Sequence, residues 1–139
     1  MSSISGYVGT ILKANSALST LVGGRIFLNV IPQKKQLPAI VINVISTIPY
    51  NTKTEASSLD QVRVQVTIMA ETSATSDGQI KADEIAEATR TALDYVTGTY
   101  NGVTVTRCAF QNQNNAFDSG AGQDGVYLVY QDYYLYKKR

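Results

Sequence analysis

Cys108 is the chain's only thiol, and no position holds a histidine. A cysteine nucleophile needs a base beside it, and the imidazole that most often serves as base and as metal ligand is missing. Ser-His-Asp and Cys-His mechanisms are therefore excluded. A lone cysteine cannot build a thiolate zinc site or an intramolecular disulfide, so Cys108 is expected to be a small buried hydrophobe on a strand. Gly120, Gly122 and Gly125 satisfy G-x-G-x-x-G, but a dinucleotide fingerprint opens a helix, and here a strand follows. Asp118 and Asp124 could touch a hard cation, yet the EF-hand spacing and its final glutamate are missing. Carboxylates brought together only by the fold stay open as a catalytic class. The expectation is a chain that is not an enzyme and holds no cofactor and no metal.

The elements that carry these residues fit one domain over residues 1–139. A hydrophobic content of 44% with 17% charged residues excludes general disorder. A net charge of +1 gives no global basic field for tight nucleic-acid binding. The charge is unevenly divided, +4 through Ala70 and −3 from Glu71 onward. Either opposite-sign surfaces attract head to tail, or one solvated helix face carries the acids. No apolar run approaches the length of a membrane span and no secretory leader opens the chain, so a soluble product is expected.

Ser5 can cap a helix over 6–21, with Ile4, Val8, Ile11, Leu12, Ala14, Leu18 and Leu21 in one stripe and Gly23-Gly24 ending it. A short strand is expected over 25–31 and a stronger one over 39–48. The latter is apolar on both faces and so central or covered on each side. After a polar loop over 49–58, Val62, Val64, Val66 and Ile68 alternate with Arg63, Gln65 and Thr67, the mark of a half-buried strand. Ser76 and Gln79 have capping-box spacing for a helix over 77–96, with Ile80, Ile85, Ala88, Ala92, Leu93 and Val96 inward and Asp83, Glu84, Glu87, Arg90 and Asp94 outward. Asn101-Gly102 marks a turn. Strands then follow over 103–111 and 125–136, separated by a flexible hairpin loop over 113–124.

The fold class is accordingly α+β: a four- or five-stranded, mostly antiparallel sheet packed by two helices, in the order α-β-β-β-α-β-β. Tyr127, Tyr130, Tyr133, Tyr134 and Tyr136 crowd the last strand, where they can pack a core, form a protein interface or stack bases. Lys137, Lys138 and Arg139 read as a solvated tail, or as residues lining a pore or touching phosphate.

Leu21-Val-Gly-Gly-Arg-Ile-Phe, followed by Gln36-Leu-Pro-Ala-Ile-Val-Ile, resembles the phage tail completion proteins, also called tail terminators or head-to-tail joining proteins. The likeness continues through Val62-Arg-Val-Gln-Val-Thr-Ile, the helix over 82–93 and the late tyrosine-rich strand. It covers about 17–136. The resemblance implies a structural virion subunit, assembled in the host cytoplasm, that forms a hexameric ring at the head-proximal end of a long tail. There it ends tail tube polymerisation and joins the tail to the head-completion ring. Its partners would be copies of itself, the tail tube protein and a head-completion or connector protein. DNA would pass through the lumen without specific binding, and no membrane would be involved.

Two other readings stand beside it: another neck or tail tube component, and a small non-catalytic ligand-binding α+β domain. Long polar loops on a rigid sheet are where contacts concentrate. The expected interface residues are therefore Thr52, Lys53 and Glu55 in the first loop and Asn112, Asn114, Asn115, Phe117 and Asp118 in the second.

Overall fold

The computed structural model describes residues 3–30, 37–49, 59–72, 77–118 and 125–138. In chain order the elements are α1 (Ile4–Ala14), α2 (Ser16–Val22), β1 (Ile26–Leu28), β2 (Ala39–Pro49), β3 (Leu59–Glu71), α3 (Gly78–Leu93), β4 (Gly98–Tyr100), β5 (Val103–Asp118) and β6 (Val126–Lys138). The strands form one six-stranded sheet ordered β1-β2-β3-β6-β5-β4. The β1–β2 pair is parallel and all other pairs are antiparallel. The class is α+β, with more elements than the sequence led us to expect: six strands rather than four or five, and three helices rather than two.

The extra helix arises at Asn15. Its backbone is extended (φ −81°, ψ 121°), and its side-chain oxygen accepts from the Leu18 N–H at 3.0 Å. An asparagine that caps the next turn competes with continuing the helix, so the expected single helix over 6–21 becomes two. Ser3, not Ser5, caps α1, its hydroxyl accepting from the Gly6 N–H. Tyr7 and Val22 are buried members of the stripe that periodicity passed over, and Ala14 is exposed.

At α3 the cap is Asp77, whose carboxylate accepts from the N–H groups of Gln79 and Ile80; Ser76, the expected cap, lies outside the described residues. Ile80 is exposed rather than inward, and the helix ends at Leu93, three residues before Val96. Ala82, Ile85, Ala86, Thr89 and Leu93 form its buried face.

The extra strand, β4, pairs with β5 through the Asn101-Gly102 turn, whose residues have φ of 53° and 76°. Two consecutive positive φ values match the type I′ hairpin, which asparagine and glycine accept most cheaply. Asn101 also ties this turn to α1, its side-chain N–H groups donating to the Gly6 carbonyl and the Thr10 hydroxyl.

The helices pack on one face of the sheet. The core between them contains Tyr7, Val8, Leu12, Leu18, Ile40, Ile42, Val62, Val64, Val66, Ile68, Ile85, Leu93, Cys108, Val129, Tyr133 and Leu135. The expected alternation of β3 holds in full. Gln131 is a buried polar residue in this apolar layer, and it is satisfied. Its Nε2 donates to the Ala86 carbonyl of α3 and to Gln113 Oε1, both at 2.9 Å, and its Oε1 accepts from the Tyr133 hydroxyl at 2.9 Å. Removing Gln131 would leave the Tyr133 hydroxyl without its acceptor in a water-poor layer.

The other face carries Asn43, Arg63, Gln65, Thr67, Tyr130, Asp132 and Tyr134, and no described helix covers it. Arg63 and Asp132 form an ion pair at 2.9 Å, with Gln65 Nε2 donating to the second carboxylate oxygen at 3.3 Å. That hydrogen bond and charge push the Arg63 pKa above its ordinary value. Of the five tyrosines on β6, only Tyr133 is fully buried. Lys137 and Lys138 are not a free tail: they pair in register with Asp60 and Leu59 of β3.

Candidate assembly interface

β5 changes character half-way along. Over residues 103–110 it delivers Val103, Val105 and Cys108 to the core, and Phe110 packs edge-on against Tyr133 with ring centroids 5.6 Å apart. The Arg90 guanidinium lies 4.0 Å above the Phe110 ring. The strand's outer edge is covered here as well. β4 pairs with it as far as Val105, the Tyr95 N–H donates to the Cys108 carbonyl, and the Phe110 N–H donates to the Asp94 carboxylate.

At Gln111 the register with β6 slips by one residue, a β-bulge, and every residue from 111 to 118 is exposed. This segment was expected to be loop from 113 onward, and it is strand through Asp118. Its asparagines and glutamines are poor strand formers in isolation, but pairing with Val126 through Asp132 of β6 supplies the ladder, and context overrides propensity. The expected interface residues Asn112, Asn114, Asn115, Phe117 and Asp118 are thereby brought onto one projecting arm. By register and alternation, Asn112, Asn114 and Asp118 share the uncovered sheet face, while Asn115 and Phe117 share the helix face. Phe117 is 50% exposed and leans on Tyr127, with centroids 5.4 Å apart. Its ring occupies the space a Cβ on Gly125 would need, and Gly125 has φ 94°. The third glycine of the G-x-G-x-x-G pattern thus serves a close approach within a hairpin. Gly120, Gly122 and Asp124 lie outside the described residues, as do Thr52, Lys53 and Glu55.

A second projecting arm escaped the sequence reading. β2 is buried from Ala39 to Ile42, where β1 flanks it, and then exposes Val44, Ile45 and Ile48. The register with β3 slips at Ile45, so this arm also begins at a bulge. The signal was present in the strand's two apolar faces, which imply a cover on each side. Over residues 44–49 none of the described residues supplies it.

The two ends of the strands differ in charge. Glu71, Asp77 and Asp118 gather where β3 ends and β6 begins, whereas Arg107, Lys137 and Lys138 gather at the opposite end, together with Asp60. Among the described residues no group of three His, Cys, Asp or Glu is placed to hold a metal ion, and no helix is long and apolar enough to cross a membrane. Two shallow grooves beside α3, one reaching Glu84, Glu87 and Thr91 and the other Ile11, Ala92 and Val96, meet at Asn15. Cys108 is fully buried, and burial, followed by the nearby Asp94 charge, pushes its pKa up to about 12. The chain's one thiol is thus sealed in the core.

The sequence model of the family described as tail completion protein gp17 matches residues 7–133. The chain belongs to this family. It is a structural component of the phage tail, located in the virion, and its work is assembly with other tail and head proteins. Among curated proteins, none matches the sequence. Among solved structures, a chain in the virion of a native gene transfer agent (GTA) particle is similar in fold, with a TM-score of 0.72 at 13% identity. The match covers 98% of this chain and 95% of that one. Among the described residues, the longest strand segments left exposed in this chain are the two arms, at the end of β2 and over 111–118 of β5.

Proposed function

We propose that this tail completion protein forms a six-membered ring at the head-proximal end of a long phage tail, where it stops tube growth and joins the tail to the head-completion ring. The observation that carries this reading is the arm of β5. Eight consecutive strand residues are exposed on both faces, held out by a bulge, in a chain whose family completes tails. A surface of that length, unprotected by lysine or proline, is a template for pairing. The residues 1–139 act as one domain, and Asn112, Asn114, Asn115, Phe117 and Asp118, with Thr52, Lys53 and Glu55, contact neighbouring subunits or rings.

The charge difference between strand ends supports two unlike ring faces, one for the tube and one for the head side, which is what ending polymerisation requires: one face complementary to the last tube ring and another that refuses more. DNA passes through the lumen without specific binding, in keeping with a net charge of only +1.

The test is imaging of particles made without the chain. Tails of uncontrolled length, unattached to heads, with attachment restored by adding the purified protein back, are the expected result. Tails of normal length that merely lack some other fitting would refute the assignment. A tube subunit behaves differently in the same experiment, since its loss leaves no tails at all.

A further inference from the structure

The sheet is capped diagonally. At the end where β2 begins, β1 covers the outer edge of β2 over Ile40 to Ile42, while across the sheet the edge of β5 over 111–118 is open among the described residues. At the other end β4 and the segment after α3 cover β5 as far as Phe110, while the edge of β2 beyond Ile42 is open among the described residues. Each open segment includes a bulge, at Ile45 and Gln111, and the two are of similar length, roughly 24 Å and 27 Å at a strand rise near 3.4 Å. Neither carries a lysine, and the charges that end such edges in monomers are lacking until Asp118.

We infer that these two edges are the two sides of one contact: the 111–118 edge of β5 in one copy pairs, antiparallel, with the 43–49 edge of β2 in the next. The inference rests on the ring reading above and names its interface. Direction agrees. Along the sheet β2, β3, β6 and β5 alternate, so a rotated copy places its β2 antiparallel to the first copy's β5. Ser46 and Asn114, near the middle of each segment, both lie on the uncovered sheet face, as paired residues must.

The stagger is informative as well. The middle of the β2 segment is level with Tyr134 of β6 and the middle of the β5 segment with Tyr130 and Val129. Between those rows lie about five residues, roughly 16 Å, over four strand spacings of about 4.8 Å. Strands stepped that much lie ~40° from the ring axis, within the range at which sheets close on themselves. Pairing β5 with its own copy would cover one corner and leave Val44, Ile45 and Ile48 in water. Pairing β5 with β2 covers both with one repeated, head-to-tail contact, the kind that closes into a ring.

The test uses the full chain. In a Cys108→Ala background, Ser46→Cys with Asn114→Cys is expected to give, on mild oxidation, a covalent ladder running beyond the dimer, while either cysteine alone gives none. Asn112→Lys with Asn114→Lys, and separately Ile48→Lys, should each weaken self-association at least tenfold by mass photometry, with circular dichroism and Tm unchanged. Rings that persist undiminished in both lysine variants, without a ladder in the double-cysteine chain, overturn the edge pairing and leave the ring reading standing. Efficient dimer cross-linking by Asn114→Cys alone shows β5 pairing with itself and also overturns it. A wild-type chain that forms no ring in solution and none on tails removes the ring reading and the edge pairing with it.

Discussion

The two halves of β5 share one strand and one partner in β6, yet only the first contributes side chains to the buried core. Over 103–110 the strand is roofed by α3 and flanked by β4, and its side chains fill the core; over 111–118 it keeps its ladder with β6 but loses both roof and flank. Backbone pairing, with the Gln113–Gln131 hydrogen bond and the Phe117–Tyr127 contact, holds the arm, while burial holds the base. The same division runs through β2 at Ile45. A protein that must both fold alone and join others can keep the two tasks on separate lengths of the same strands.

That division is open to measurement. Tyr133→Ala, which empties a fully buried site between α3 and the sheet, should destabilise the chain by about 3–5 kcal/mol in urea unfolding. Phe117→Ala on the arm should cost about 1 kcal/mol or less, and equal losses would break the comparison.

The Cys108 thiol reports on the base directly. Burial raises its pKa to about 12 from an ordinary 9.0 and closes it to reagents, so alkylation of the native chain at pH 8 should be far slower than that of the urea-unfolded chain. The same group has a raised folded pKa, so its contribution is intact below pH 9 and is lost as pH rises toward 12. Alkaline unfolding should be shallower over that window in Cys108→Ala than in wild type.

Gln131→Leu should cost about 1–3 kcal/mol, because it leaves the Tyr133 hydroxyl without its acceptor and takes the second donor from the Ala86 carbonyl. Smallest of all, Asn112→Ala with Asn114→Ala should leave stability within about 0.5 kcal/mol while reducing head-to-tail joining in a particle assay. A large loss of stability from that pair would place the arm in the fold rather than in the contact.

What the sequence made legible follows from how local the determining physics is. The alternation of β3 reads directly because each valine and its polar neighbour report opposite faces of one pleat, and Asn101-Gly102 reads directly because few residues accept two positive φ values in succession. The break at Asn15 did not show, since the flanking residues keep helical spacing and only the asparagine's bond to Leu18 decides the matter. The extent of β5 was hidden for the opposite reason. Asn112 to Asn115 read as loop by composition, and their strand comes from a partner in sequence beyond Gly125. Of the candidate contact residues, those on β5 were proposed from a polar stretch and given the wrong backbone. Those on β2 were missed because Val44, Ile45 and Ile48 look like core until the sheet shows them uncovered.

The central ladder, in which β3 and β6 pair without a slip from Leu59 opposite Lys138 to Glu71 opposite Val126, bears on how such a subunit carries load. A pull along the strands must shear all of those rungs together, whereas a pull across them parts one rung at a time. In the proposed ring, with strands inclined to its axis, part of any axial load would fall along this stiff direction.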